Sequence, residues 1–173
     1  MVGFGGTGFG CERSKGPCLP EHEPDARTRH AMALLLRHAI SEAFSAGVSY
    51  RLYLDDWGLI SHTLSAQLAW MLSELTQITL HYRFYTQTGV DFYQMIYAVT
   101  TAPGAYTTRD REQSPMHDHR LGLELQQLIP IDERGTKLAL RASVGGLEYD
   151  YSAFAGLSHA RALEVTFALG LEN

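Results

Sequence analysis

One short phrase occurs twice in this chain and holds the residues best suited to chemistry: Tyr50-Arg51-x-Tyr53-x-Asp55 in SYRLYLDDWG, and Tyr82-Arg83-x-Tyr85-x-Gln87 in HYRFYTQTG. Each copy sets a guanidinium, which stays charged and carries five donors, among phenols and an acceptor. Two arginines on one enclosed face have two possible uses. With free donors they make an anion-attracting constriction, as charged rings do in pores. Paired with Asp55, Glu124 or Glu164 they fill the interior as a polar network. The network is the stronger expectation, because an enclosed arginine without a carboxylate is costly.

Other constellations carry less. In an extended stretch the imidazoles of His117 and His119 share one face, their α-carbons about 7 Å apart, within reach of a single metal ion. Two histidines and Asp118 without a further ligand are an incomplete site, so a solvated loop is expected there. Ser61-His62-Thr63 puts hydroxyls beside an imidazole, but strand neighbours point to opposite faces and no acid completes a triad. Cys11 and Cys18 are the two cysteines of the chain and lie in a Gly- and Pro-rich segment. In an exported protein they would close a small disulfide loop, which is the expectation; in a cytosolic one they would stay reduced or hold metal. GFGGTGFG lacks the following helix of a dinucleotide fingerprint and is read as loop. No cofactor and no enzymatic activity are expected.

The elements that position these residues follow from hydrophobic period. From Phe44 to Leu54 the even positions are Phe, Ala, Val, Tyr, Leu and Leu, while the odd ones from Ser45 to Asp55 are small or polar. Alternation of this kind is a strand with one apolar and one polar face. The same parity returns in Leu64, Ala66, Leu68, Trp70 and Leu72, and again in Ile78, Leu80, Tyr82 and Phe84. Looser alternation follows at Leu121 to Leu125, at Leu138 to Val144 and at Leu163 to Leu171. Strands are therefore expected near 29–40, 44–56, 60–72, 77–88, 118–130, 136–149 and 159–172, the first being ambiguous because Met32 to Leu36 would also suit a helix.

The polar faces of these strands gather one set of residues: Arg51, Tyr53, Asp55, Gln67, His81, Arg83, Tyr85 and Glu124. Arg51 and Arg83 are expected in one layer, on alternate strands about 10 Å apart, with Glu124 the nearest acid to Arg83. The opposite face would carry Val48, Tyr50, Leu52, Leu64, Leu68, Trp70, Leu80 and Phe84. Short connections at 40–43, 73–76 and 130–136 alternate with longer ones at 55–62, 88–117 and 149–158, the asymmetry of barrels that cross an outer membrane. Aromatics support that placement, with Phe44 and Trp70 toward the short turns and Tyr82, Phe84 and Trp57 toward the other end. The expected organisation is a Gly/Pro-rich loop segment at 1–27 followed by an antiparallel up-and-down transmembrane β-barrel, or an open part of one, at 28–173. That portion has about seven to eight strands and a long outer loop at 88–117.

Composition narrows the partners. A formal net charge of −5 without a basic cluster excludes the counterion-displacing face of a nucleic-acid binder. No apolar run reaches the 18 residues of a transmembrane helix, which leaves strand-built membrane crossing open. Outer-membrane lipid is the expected partner and the bacterial outer membrane the expected location.

The ordered set Tyr50-Arg51-x-Tyr53-x-Asp55-Asp56-Trp57-Gly58, Ser61-His62-Thr63, Tyr82-Arg83-x-Tyr85-x-Gln87 and Phe92-Tyr93 resembles the bacterial family called domain of unknown function 3570. The resemblance runs from Pro24 to the C-terminus. It implies an outer-membrane β-barrel with no assigned reaction. Members of that family are longer and carry an export signal, so the resemblance implies a C-terminal part, serving as a structural barrel, a passive conduit or an export accessory. An odd count of seven strands, where single-chain bacterial barrels are even, leads to the same expectation of a fragment. Two alternatives stay open: a soluble antiparallel β-barrel or sandwich binding a small apolar ligand, and a lipid-hydrolysing barrel, for which no Ser-His-acid set is visible.

Overall fold

The computed structural model describes residues 3–4, 18–19, 21–97, 104–133, 135–151, 153–154 and 156–172. Cys11 and most of GFGGTGFG lie outside the described residues. Two short strands, β1 (Gly3–Phe4) and β2 (Cys18–Leu19), pair in parallel. The remainder is one sheet of seven strands: β3 (Arg29–Ala39), β4 (Phe44–Asp55), β5 (Ile60–Ser73), β6 (Thr76–Gln87), β7 (Met116–Pro130), β8 (Lys137–Asp150) and β9 (His159–Glu172). Its strand order is the chain order, every pair antiparallel. The fold is therefore all-β and up-and-down, and the sheet is open between β3 and β9.

The ambiguous first segment is a strand because an eleven-pair ladder with β4 takes it. Pairing sets Met32, Leu34 and Leu36 beside Leu52, Tyr50 and Val48, so tertiary context overrides a helix-compatible composition. Tight turns close the opposite end of the sheet. Ser41 Oγ accepts from the backbone N–H of Ala43 and Phe44, and Thr136 donates its N–H and hydroxyl to Asp132. One expected long connection proves short: only residues 56–59 separate β4 from β5.

The two faces are distinct. Apolar side chains lie outside and exposed, from Leu34 at 71% to Phe167 at 80%. The polar face is inside. Its cavity of about 380 Å³ is lined by residues of all seven strands, Leu35 on β3 and Thr166 on β9 among them. A sheet whose two edge strands border one cavity must be strongly curled. An ion pair between Arg120 on β7 and Glu164 on β9 spans the intervening β8 on that concave side.

The connection 88–117, expected as a long outer loop, is largely packed structure over its described residues. Trp57, Leu59 and Val90 are buried together, with Tyr53, Phe92 and Tyr93 against them. Trp57 therefore sits in a small core and does not belong to an outward girdle. The Arg27 guanidinium lies 4.3 Å from the centre of the Trp57 ring, and Trp57 Nε1 donates to Ala26 O. Val90 N–H donates to Gln113 O, Asp91 N–H to Trp57 O, and His22 and Thr107 exchange a backbone pair. Burial pushes the phenols of Tyr93, Tyr97 and Tyr151 above their ordinary range. Tyr97 accordingly keeps its proton and donates to Thr108 O.

This cap leans toward the polar side. Gln87, inward on β6, donates from Nε2 to Glu112 O and Ser114 O, and inward Ser61 and Asp118 are buried. Outward Leu54 and Ile60, at the same end, stay exposed. Gly58 at the β4–β5 turn has φ +83, and a β-carbon there would overlap the Asp91 carboxylate. Gly58→Ala is expected to lower stability by about 1–3 kcal/mol, read from the midpoint of chemical unfolding.

Candidate functional site in the polar concave face

Strand register places each candidate residue. Arg51, Tyr53, Asp55, Gln67, His81, Arg83, Tyr85 and Glu124 all fall on the inward side of the ladder. Cross-strand pairing then sorts them into rows. Arg51 lies opposite Thr63, which lies opposite Tyr85, then Asp118 and Tyr149. The next inward row runs Ser49, Ser65, Arg83, Arg120 and Leu147. The two arginines of the repeated phrase thus share a face without sharing a row. The offset follows from the register of β5, which sets Thr63 and not Ser65 against Arg51.

The expected partners change accordingly. Asp55 serves Arg27, which donates from Nε at 2.9 Å and from Nη2 at 2.6 Å. It also accepts from the Tyr53 hydroxyl and from the N–H groups of Trp57 and Leu59. With no exposed side-chain surface, it knots the N-terminal segment to the β4–β5 turn and has no acceptor left for Arg51. The acid nearest Arg83 is Asp118 at 3.7 Å. Glu124 sits two inward rows farther down, opposite Thr79 and Ser143.

Around Arg83 the cavity has unequal walls. Arg120 stands directly opposite Arg83, an arrangement of like charges that disfavours pairing unless something else engages them. Arg120 donates to Glu164. Arg83 makes no hydrogen bond among the described residues, and its guanidinium lies 5.4 Å from the centre of the Tyr85 ring. Asp118 has its Oδ1 buried without a partner. In the row below, Gly122 faces Gly145, and Gln67 lies over Gly47. Those glycines leave the floor of the cavity without side chains just beneath the two guanidiniums.

The histidine pair is not in a loop. His117 and His119 lie on β7 and face outward, their rings 5.9 Å apart and nearly perpendicular, while Asp118 between them faces inward and is buried. Strand alternation therefore removes the acid from the proposed ligand set, and no group of three metal-binding side chains occurs among the described residues. His62 is also outward, its Nδ1 2.7 Å from the Tyr50 hydroxyl; Ser61 points the other way and is buried.

The sequence matches the family described as a protein of unknown function (DUF3570) over residues 10–155. The chain belongs to that family. Its fold is similar to that of a solved chain titled "Bacterial polysaccharide outer membrane secretin", with a TM-score of 0.50 and 12% identity, covering 84% of this chain. The chain spans 45% of the length of that structure's chain. No curated protein matches the sequence.

Within this family member, sequence reasoning had missed Arg27 and Arg120. Arg120 shares parity with Glu124 inside the strand expected at 118–130, which was a usable signal. Arg27 precedes the first strand and carries no periodic signal, and only the folded cap brings it to Asp55.

Proposed function

We propose that this chain is part of a bacterial outer-membrane β-barrel whose outer face meets lipid and whose polar face lines a hydrophilic passage. It acts as structural wall and passive conduit or export accessory, not as an enzyme. One observation carries this: the exposed apolar face has the height of a membrane. On β9 the outward apolar residues run from Leu163 to Leu171, on β8 from Leu138 to Gly146, and on β7 from Leu121 to Ile129, with Gln127 the one polar member, its side-chain oxygen accepting from the Thr76 hydroxyl. Each span is nine residues, within the roughly 9–11 with which a tilted barrel strand crosses the hydrocarbon core. The band stops at one cross-strand row, His119, Glu148 and Arg161, where Arg161 donates to Glu148.

At the other end Phe44 and Trp70 stack 5.5 Å apart on the outward face, as a girdle aromatic pair would. Toward the cap, Tyr82 and His119 bring a phenol hydroxyl within 2.8 Å of Nδ1, amphipathic rings suited to a headgroup boundary. A soluble binding barrel would carry the reverse pattern, since apolar patches of this extent do not stay in water. The polysaccharide in the name of the similar structure is compatible with a hydrophilic passage. The protein extracted in detergent is expected to migrate faster on gels unheated than boiled. Identical migration, together with full solubility in detergent-free buffer, would overturn the proposal.

A further inference from the structure

We propose that the cavity beneath the cap binds an acidic saccharide, its carboxylate held by Arg83 and Arg120 and its hydroxyls by Glu124 and the flanking serines. The inference rests on the reading of the polar face as a hydrophilic passage. Arg83 is the first ground: it is partly exposed, meets Asp118 only at 3.7 Å and spends no hydrogen bond on the described protein. Its donors face the cavity beside those of Arg120, and a guanidinium binds a planar carboxylate through two parallel donors. An anion between these opposed arginines would relieve their repulsion, which no protein group now does for both.

The second ground is at the far end. Glu124 lines the same cavity and has neither an ion pair nor a hydrogen bond among the described residues. About 14 Å of sheet, two inward rows each way, separates it from the Arg83 row. Ser49 and Ser65 stand in the Arg83 row, Ser143 stands in the Glu124 row and Gln67 lies between, groups that both donate and accept. Room comes from Gly122 and Gly145, whose paired backbones leave the floor flat.

Charge decides the ligand class. Glu164 shares the guanidinium end of the cavity with Arg83 and Arg120, and Glu124 lies at the other end, so a compact dianion such as phosphate would engage only the first end and leave Glu124 unused. A single carboxylate on a hydroxyl-rich frame meets guanidinium at one end and an acceptor at the other. Both requirements are met by a uronic-acid unit, free or within a chain.

The test titrates the detergent-solubilised full chain with a glucuronic-acid oligomer, a glucose oligomer of equal length, free glucuronate and inorganic phosphate, following heat. Either acidic saccharide should bind at least tenfold tighter than the glucose oligomer and than phosphate, and comparison of the two tells whether one ring suffices. Arg83→Gln should weaken that binding tenfold or more. Arg141→Gln, which removes an inward arginine paired with Glu172 outside the cavity, should leave it within twofold. Equal binding of acidic and neutral oligomers, or no effect of Arg83→Gln, overturns the proposal. If Arg83→Gln does not fold, Arg120→Gln and Glu124→Gln carry the same expectation. Heat-modifiable migration is scored in parallel: a barrel that fails to discriminate sinks this inference alone, whereas discrimination by a detergent-independent soluble protein sinks the membrane reading alone.

Discussion

Asp55→Ala is expected to cost about 3–5 kcal/mol of stability, the cost of removing one partner from a buried ion pair. Five donors converge on this carboxylate: Nε and Nη2 of Arg27, the Tyr53 hydroxyl and the backbone N–H groups of Trp57 and Leu59. Its side chain has no exposed surface, so water cannot replace it without opening the turn. Arg27, 16% exposed, would keep its place over Trp57 without a counter-charge. Asp55→Asn retains an acceptor of similar shape and should lose less, which separates charge from packing. The comparison is made by urea unfolding of the protein reconstituted in lipid vesicles. A loss under about 1 kcal/mol for Asp55→Ala, the scale of an exposed pair, would show that the cap does not depend on this knot. The loss should also surface locally, as faster proteolysis within 88–115 before the strands are cut.

Leu125→Arg is expected to cost about 2–4 kcal/mol in a bilayer, the penalty for a charge on the lipid face at mid-depth. Leu125 is the central outward residue of the β7 span from Leu121 to Ile129 and shares its row with Ala142 and Phe167. An arginine there can reach water only across about four residues of strand in either direction. The same substitution at Ser49, inward on β4 and lining the polar cavity, should cost far less. Unfolding midpoints in vesicles measure both. If the two substitutions cost the same, the outward face is not in lipid. In detergent-free buffer the ranking should collapse, because the protein would then lack the medium that makes the outer charge expensive.

These two sites show how differently the chain discloses itself. Parity in Phe44 to Leu54, Leu64 to Leu72 and Ile78 to Phe84 was enough to determine which residues share a face, because a strand alternates strictly and each strand is read from its own neighbours. Strand order was equally legible, since in an up-and-down sheet each strand pairs with the next in sequence. The inward placement of Arg51, Arg83 and Glu124 follows from the same rule. Row was not legible. Whether Arg51 stands level with Arg83 depends on how many residues each turn consumes, and the β4–β5 connection took four where the composition of 55–62 indicated more. A shift of two positions keeps every face and changes every neighbour. The β6–β7 register, set by the long connection after Gln87, likewise put Arg120 opposite Arg83 and left Glu124 two inward rows away. The cap was beyond sequence altogether: Arg27 and Asp55, or Gln87 and Ser114, meet through contacts 27 to 28 residues apart without period. Only the folded chain brings such pairs together, because their attraction becomes effective once the sheet has curled and excluded water from the ground between them.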